Sequence, residues 1–229
     1  MTCNVYISVC FYEQDKRALG SNNFSGALPP ELGNLAKLQE IYINSCGAGG
    51  EIPSTFANLY NLETVMSSLF QFQVGIRLSI HRKNTKLHRE LDEALVSETE
   101  GNSFKGPIPS SLSSLASLQT LHISDIYEVS SSLDFIKGLK NLTSLVLRNT
   151  LISGSIPSYI GEYQSLQTLD LSFNNLIGGI PSSLFKLNNL TALFLGNNRL
   201  TGTLPPQKSE KLQIISSSSD ILSAFDQAF

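Results

Sequence analysis

The chain has no tryptophan, three cysteines and three histidines, and only 15% of its 229 residues are charged. Cys3, Cys10 and Cys46 are too few and too oddly numbered to staple a disulfide-built fold, and at most one pair can close. A formal charge of −3 supplies no basic field, which excludes nucleic acid as the expected partner. No stretch approaches the roughly 18 consecutive apolar residues of a membrane span. The partly apolar run 4–12 lacks a basic start and is too short to read as a signal peptide. His81, His88 and His122 stand at no metal-ligand or nucleophile spacing, so no metal, no cofactor and no catalytic residue is expected.

What the chain does have is a beat. The pattern Leu-x-x-Leu-x-Leu recurs at Leu118, Leu121 and Ile123, at Leu142, Leu145 and Leu147, at Leu166, Leu169 and Leu171, and at Leu190, Leu193 and Leu195. Each set begins 24 residues after the last, at 118, 142, 166 and 190. Self-similarity at about 20 to 29 residues marks stacked repeats, each of which buries its apolar face only against its neighbours. Within one unit Leu169 and Leu171 alternate with Asp170 and Ser172, the period of a short strand with one buried face. Asn174 and Asn198 follow their strands by three residues. There an inward amide, with both donors and an acceptor, can satisfy backbone groups where the chain turns. Cys46 holds the same place after Ile43.

Beyond that turn come an apolar residue, glycine, and then Ile-Pro or Leu-Pro. The glycines are Gly26, Gly50, Gly106, Gly154, Gly178 and Gly202, and the prolines Pro29, Pro53, Pro109, Pro157, Pro181 and Pro205. Glycine suits a tight bend, and proline opens a helical turn. One repeat is therefore expected to be a strand, a turn, a bridging segment and a helical or 3-10 turn.

These spacings resemble the plant-specific class of leucine-rich repeats, Leu-x-x-Leu-x-Leu-x-x-Asn-x-Leu-x-Gly-x-Ile-Pro, over roughly three quarters of the chain. Segments 20–35 (GSNNFSGALPPELGNL), 131–147 (SSLDFIKGLKNLTSLVL) and 153–200 are more narrowly similar to the extracellular repeats of plant receptor-like serine/threonine kinases that carry a malectin-like domain. The resemblance implies an α/β fold: a leucine-rich-repeat solenoid with a parallel β-sheet on its concave face and short helical or 3-10 turns opposite. It implies no enzyme in this chain, a protein, peptide or cell-wall carbohydrate ligand, a co-receptor, and a place on the extracellular side of the plasma membrane. The rival reading resembles the secreted polygalacturonase-inhibiting repeat proteins; a third is a non-functional gene fragment.

Outward positions between the buried leucines are the candidate partner-binding residues: Tyr42 and Asn44, His122 and Ser124, Val146 and Arg148, Asp170 and Ser172, Phe194 and Gly196. Aromatic and Arg anchors favour Tyr42, Arg148, Asp170 and Phe194, and His122 is expected at the surface. Asn23, Asn141 and Asn189 begin Asn-x-Ser/Thr sequons open to glycosylation in a secreted chain. The Cys3 to Cys10 spacing is similar to that of N-terminal caps in these repeats, although Val5 to Val9 lack the usual Trp and Gly. His88-Arg89-Glu90-Leu91 lacks the Asp of a kinase catalytic loop, and Gly47, Gly49 and Gly50 precede no Lys-Ser/Thr.

The beat fails in one place. Ile52 and Ile108 lie 56 residues apart, eight more than two repeats would take. Ser67 and Phe70 stand where leucine and asparagine belong, and 85–97 carries Leu87, Leu91 and Leu95 at the spacing of an amphipathic helix. The expected organisation is an irregular leader over 1–18, repeats over 19–65, a departing segment over 66–101 where the core is interrupted, repeats over 102–215, and a degenerate tail over 216–229. Leu212 and Ile215 begin the last repeat, which Ser217 and Asp220 leave without its leucine and asparagine.

Overall fold

The computed structural model describes residues 16–19, 26–43, 46–67, 102–202 and 211–214. The leader with Cys3 and Cys10, the sequon at Asn23, the candidate Asn44, the predicted helix over 85–97 and the tail over 216–229 lie outside the described residues.

The period-2 leucines form one eight-stranded, wholly parallel sheet. Its strands in spatial order are β1 (Lys16–Ala18), β3 (Glu40–Tyr42), β5 (Thr64–Met66), β7 (Thr120–Ser124), β8 (Ser144–Arg148), β10 (Thr168–Asp170), β12 (Ala192–Phe194) and β14 (Gln213–Ile214). Register follows the beat: Leu121 pairs with Leu145, Leu145 with Leu169, and Leu169 with Leu193. The inward leucines and their counterparts Ile41, Ile43 and Val65 are buried in one core that runs the length of the stack.

The helical parts of the repeats are all short 3-10 turns among the described residues: η1 (Pro30–Asn34), η2 (Ser54–Asn58), η3 (Ser110–Ser114), η4 (Leu133–Gly138), η5 (Ser158–Glu162) and η6 (Ser182–Lys186). Five of them start directly after the repeat proline, whose φ lies between −61° and −72°. In η4 no proline is present, and Ser132 caps instead, its side chain accepting from the Asp134 amide. The fold is thus a leucine-rich-repeat solenoid with a parallel sheet on one side and 3-10 turns on the other.

The bridging segments prove more regular than expected, because they form two further parallel sheets. One joins β2 (Gly26–Ala27), β4 (Ala48–Gly50) and β6 (Ser103–Phe104); the other joins β9 (Ser153–Ser155), β11 (Asn175–Gly179) and β13 (Arg199–Thr201). The repeat glycines Gly26, Gly50, Gly106, Gly154, Gly178 and Gly202 all have φ between 70° and 97°, the left-handed region that a Cβ disfavours. Between the two sheets lies the repeat that begins at Leu118. It has Ile126 in the asparagine place and no Gly-x-Ile-Pro, and only the Lys105–Tyr127 bridge continues the ladder there.

The interruption of the core is corrected. β5 pairs directly with β7, Val65 beside Leu121, so the sheet passes the break without a gap. Asn102 completes the repeat begun by Leu62: its Nδ2 donates to the Ser67 and Ile43 carbonyls at 3.0 and 2.6 Å, and its Oδ1 accepts from the Cys46 amide at 3.3 Å. Ser67 and Asn102 are 35 positions apart where Leu171 and Asn174 are three apart, so one repeat carries 32 surplus residues. The count of two repeats plus eight residues was therefore misassigned. Ser67 also leaves a cavity of about 10 Å³ among Ile43, Val65, Phe104, Leu118 and Leu121. At the far end the register is one residue off expectation, since Leu193 pairs with Ile214 rather than Ile215.

Candidate functional site

The outward face of the main sheet is built by strand alternation, but its middle is closed rather than open. His122, Ser124, Val146, Asp170 and Ser172 are all buried. The expectation that His122 is a surface residue is corrected: it is 8% exposed. Its Nε2 shares a 2.7 Å hydrogen bond with Ser144 Oγ. Its Nδ1 and the hydroxyl of Ser124, one strand step away on the same face, have no hydrogen-bond partner among the described residues. Burial holds the His122 imidazole down at about 4, so the ring is neutral at pH 7.

Asp170 is engaged inward. Its Oδ1 accepts from the Ser172 amide at 2.9 Å and the Ser172 hydroxyl at 2.5 Å. Burial pushes its carboxyl up, against the lowering effect of the Ser172 hydrogen bonds and the Arg148 charge. Arg148 donates from Nη1 to Ser172 Oγ at 3.0 Å, and its guanidinium lies 4.0 Å from the centre of the Phe173 ring. Asp170, Ser172, Arg148 and Phe173 therefore form one connected cluster across β8 and β10.

Phe173 was missed by sequence reasoning. It belongs to the column Asp125, Asn149, Phe173 and Asn197, whose φ values lie between 53° and 59°. Asp and Asn tolerate that region, whereas an aromatic residue is rare in it. Its signal was its place directly before Asn174, and the conformation holds the ring 36% exposed beside Arg148.

Tyr42 and Phe194 are partly exposed at the two ends of the same face, and Arg148 is partly exposed between them. Tyr42 donates its hydroxyl to Glu40 Oε2 at 2.8 Å, and burial first, then Glu40, pushes its pKa up. The four expected anchors thus divide: Tyr42, Arg148 and Phe194 reach solvent, while Asp170 positions Ser172 within the wall. An open groove of about 490 Å³ lies elsewhere, among Pro107, Pro109, Ser131, Ser132, Asp134 and Phe135 at the starts of η3 and η4.

Behind the face stands the asparagine ladder. Asn174 Nδ2 donates to the Leu147 and Leu171 carbonyls at 2.6 and 3.0 Å, and its Oδ1 accepts from the Thr150 and Ile152 amides at 3.1 and 2.9 Å. Asn198 repeats the arrangement one unit on, with Leu171 O, Leu195 O and the Leu176 amide. No group of three or more His, Cys, Asp or Glu among the described residues could hold a metal ion. No helix among them is long and apolar enough to cross a membrane.

Two family models match: Leucine Rich repeats (2 copies) over 164–214 and Leucine Rich Repeat over 141–162. A comparison with curated proteins returned no match. Among solved structures, the chain is similar to a TDR receptor at 32% identity and TM-score 0.66, covering 88% of this chain and 30% of that one. It is similar to the Arabidopsis receptor kinase HAESA, solved in complex with the peptide hormone IDA and the co-receptor SERK1, at 28% identity and TM-score 0.64, covering 84% and 27%. A plant ice-binding protein shares the fold alone, at 20% identity and TM-score 0.63. The chain spans under a third of the length of the two receptors. What matches among the family models is leucine-rich repeat alone.

Proposed function

We propose that this chain is the non-catalytic ligand-recognition region of a plant receptor-like signalling protein, and that it binds a peptide across the outward face of its main sheet. The single observation that carries the reading is the uninterrupted eight-stranded sheet, which presents Tyr42 and Phe194 in one register row from β3 to β12 and Arg148 on the same face two residues further along β8. An extended parallel face of this kind gives a peptide many shallow contacts in register, with aromatic and Arg side chains as anchors. Likeness to HAESA, whose structure holds a peptide hormone and a co-receptor, supports both the peptide class and a co-receptor as second partner. His122, Ser124, Asp170 and Ser172 belong to the same face but are buried in its middle, so their part in binding is to support the partly exposed Arg148 and its neighbours; Asn44 is proposed as a further contact from its sequence position alone. Segments 20–35, 131–147 and 153–200 favour, within plant receptors, the class with a malectin-like domain. An extracellular position, glycans at Asn23, Asn141 and Asn189, and descent of this chain from a longer receptor complete the reading.

The test is titration of the folded chain with a panel of synthetic plant peptide hormones, cell-wall oligosaccharides as a second panel, and polygalacturonase inhibition as a third. Saturable peptide binding that Arg148→Ala and Phe194→Ala each weaken is the expected result. Inhibition of the wall-degrading enzyme without peptide binding would replace this reading by the secreted-inhibitor one.

A further inference from the structure

Asn141 and Asn189 hold the stack together as well as forming sequons. Asn141 Nδ2 donates to the Ala116 carbonyl at 2.9 Å, and Asn189 Nδ2 to the Gln164 carbonyl at 2.8 Å, each reaching the preceding repeat. Asn61 makes the same bond to Ala36 O at 2.8 Å, although Glu63 keeps it from being a sequon. The bond is therefore a property of the repeat position, independent of the sequon. The middle residues Leu142 and Leu190 are fully buried. Thr143 and Thr191 donate their hydroxyls to Gln119 O and Gln167 O, both at 3.0 Å. All three positions of each Asn-Leu-Thr are committed to the neighbouring repeat, while the Asn side chains lie on the exposed flank.

Glycan transfer needs the opposite arrangement. Asn Nδ2 attacks C1 of a sugar carried on a lipid diphosphate: the N–C1 bond forms, the C1–O bond to the diphosphate breaks, the lipid diphosphate leaves, and Nδ2 gives up one proton. The amide has to leave its carbonyl partner, and the Thr hydroxyl has to be presented to the transferase. Neither happens while the leucine between them is packed in the core. After transfer Nδ2 keeps one hydrogen, so the bond to the preceding repeat can be remade with the glycan pointing to solvent.

We infer that Asn141 and Asn189 accept an oligosaccharide from a lipid-linked donor only before their repeats dock, and that afterwards they serve as inter-repeat staples on a flank that tolerates glycan. The inference rests on the secretory history proposed above, not on the identity of the ligand.

The experiment incubates the unglycosylated, folded full chain with an oligosaccharyltransferase and lipid-linked oligosaccharide, beside synthetic peptides spanning 138–146 and 186–194, and reads occupancy by mass spectrometry. The peptides should be modified and the folded chain at least about tenfold more slowly, because reaction waits on local opening. Leu145→Ala, which loosens the docked repeat, should raise the rate at Asn141 toward that of the peptide. Glu63→Thr, which turns Asn61 into a fourth sequon, should give a site equally silent in the folded chain. Modification of the folded chain at the peptide rate overturns the order of events, and unmodified peptides overturn the acceptor assignment. A chain that passes this test yet binds no peptide hormone loses the receptor reading and keeps this one.

Discussion

The side-chain amide of Asn102 donates to the carbonyl of Ser67 at 3.0 Å, although residues 68–101 separate them in sequence. The same amide spans to Ile43 in the preceding repeat, so a turn normally closed across two intervening residues is closed here across 34.

Deletion of residues 68–99 should therefore leave a continuous solenoid. It joins Ser67 to Asn102 through Glu100 and Gly101 and restores the three-residue step of Leu171 to Asn174. Gly101 would then take the column position where Asp125, Asn149, Phe173 and Asn197 have positive φ, a backbone region that suits glycine. A single cooperative thermal transition at or above the parent's midpoint is the expected outcome. A non-cooperative, molten product would show that Asn102 is not the ladder residue of this repeat.

Ser67→Val should stabilise the fold by about 1 kcal/mol, since it adds roughly one methyl group to a void of water size. The cavity beside Ser67 measures about 10 Å³. The lost hydroxyl donates only a long 3.3 Å bond to His122 O, which still accepts from the Ser67 amide at 2.9 Å. Urea unfolding measures the difference; a loss of stability would mean that the void does not accommodate the branch.

Asn174→Leu should cost about 3 kcal/mol, because buried groups lose their partner. The Thr150 and Ile152 amides lose their acceptor, and the Leu147 carbonyl loses the 2.6 Å donor. An unfolding midpoint equal to that of the parent would remove the ladder from the account of stability.

Stability should rise with pH between about 4 and 6.5 by no more than about 3 kcal/mol through His122. Its folded pKa is depressed to about 4, so the unfolded chain binds more protons across that window, and acid favours unfolding. Asp170 acts in the opposite sense over a window that starts at the ordinary carboxylate value of about 3.9 and runs upward into that of His122: burial raises its carboxyl, the folded state holds the proton more tightly, and its contribution falls as pH rises. His122→Gln should flatten the profile above pH 4; an unchanged slope there would assign the effect to another group.

The strands, the ladder asparagines and the prolines before the 3-10 turns were legible because each rests on a residue type fixed in phase: Leu169 and Leu171, Asn174, Pro181. The two smaller sheets were not. Their residues, such as Ser153-Gly154-Ser155 in β9, carry no apolar alternation, and their regularity comes from the positive φ of the repeat glycines and from pairing with the next unit. The candidate site was half legible. Alternation identified the face that carries Asp170 and His122 but could not say that both are buried there. The break was misjudged because Asn102 had to be assigned to a strand far upstream, and only pairing of Val65 with Leu121 identifies which one.

The asparagine ladder also decides what an amide-exchange experiment would see. The Thr150 and Ile152 amides are held by Asn174 of the following unit, in place of a partner in their own. Their exchange with solvent deuterium should therefore clock the undocking of that following unit. Each such amide is a reporter placed one unit upstream of the event it records, and reading them in order along the stack would give the sequence in which the solenoid unzips.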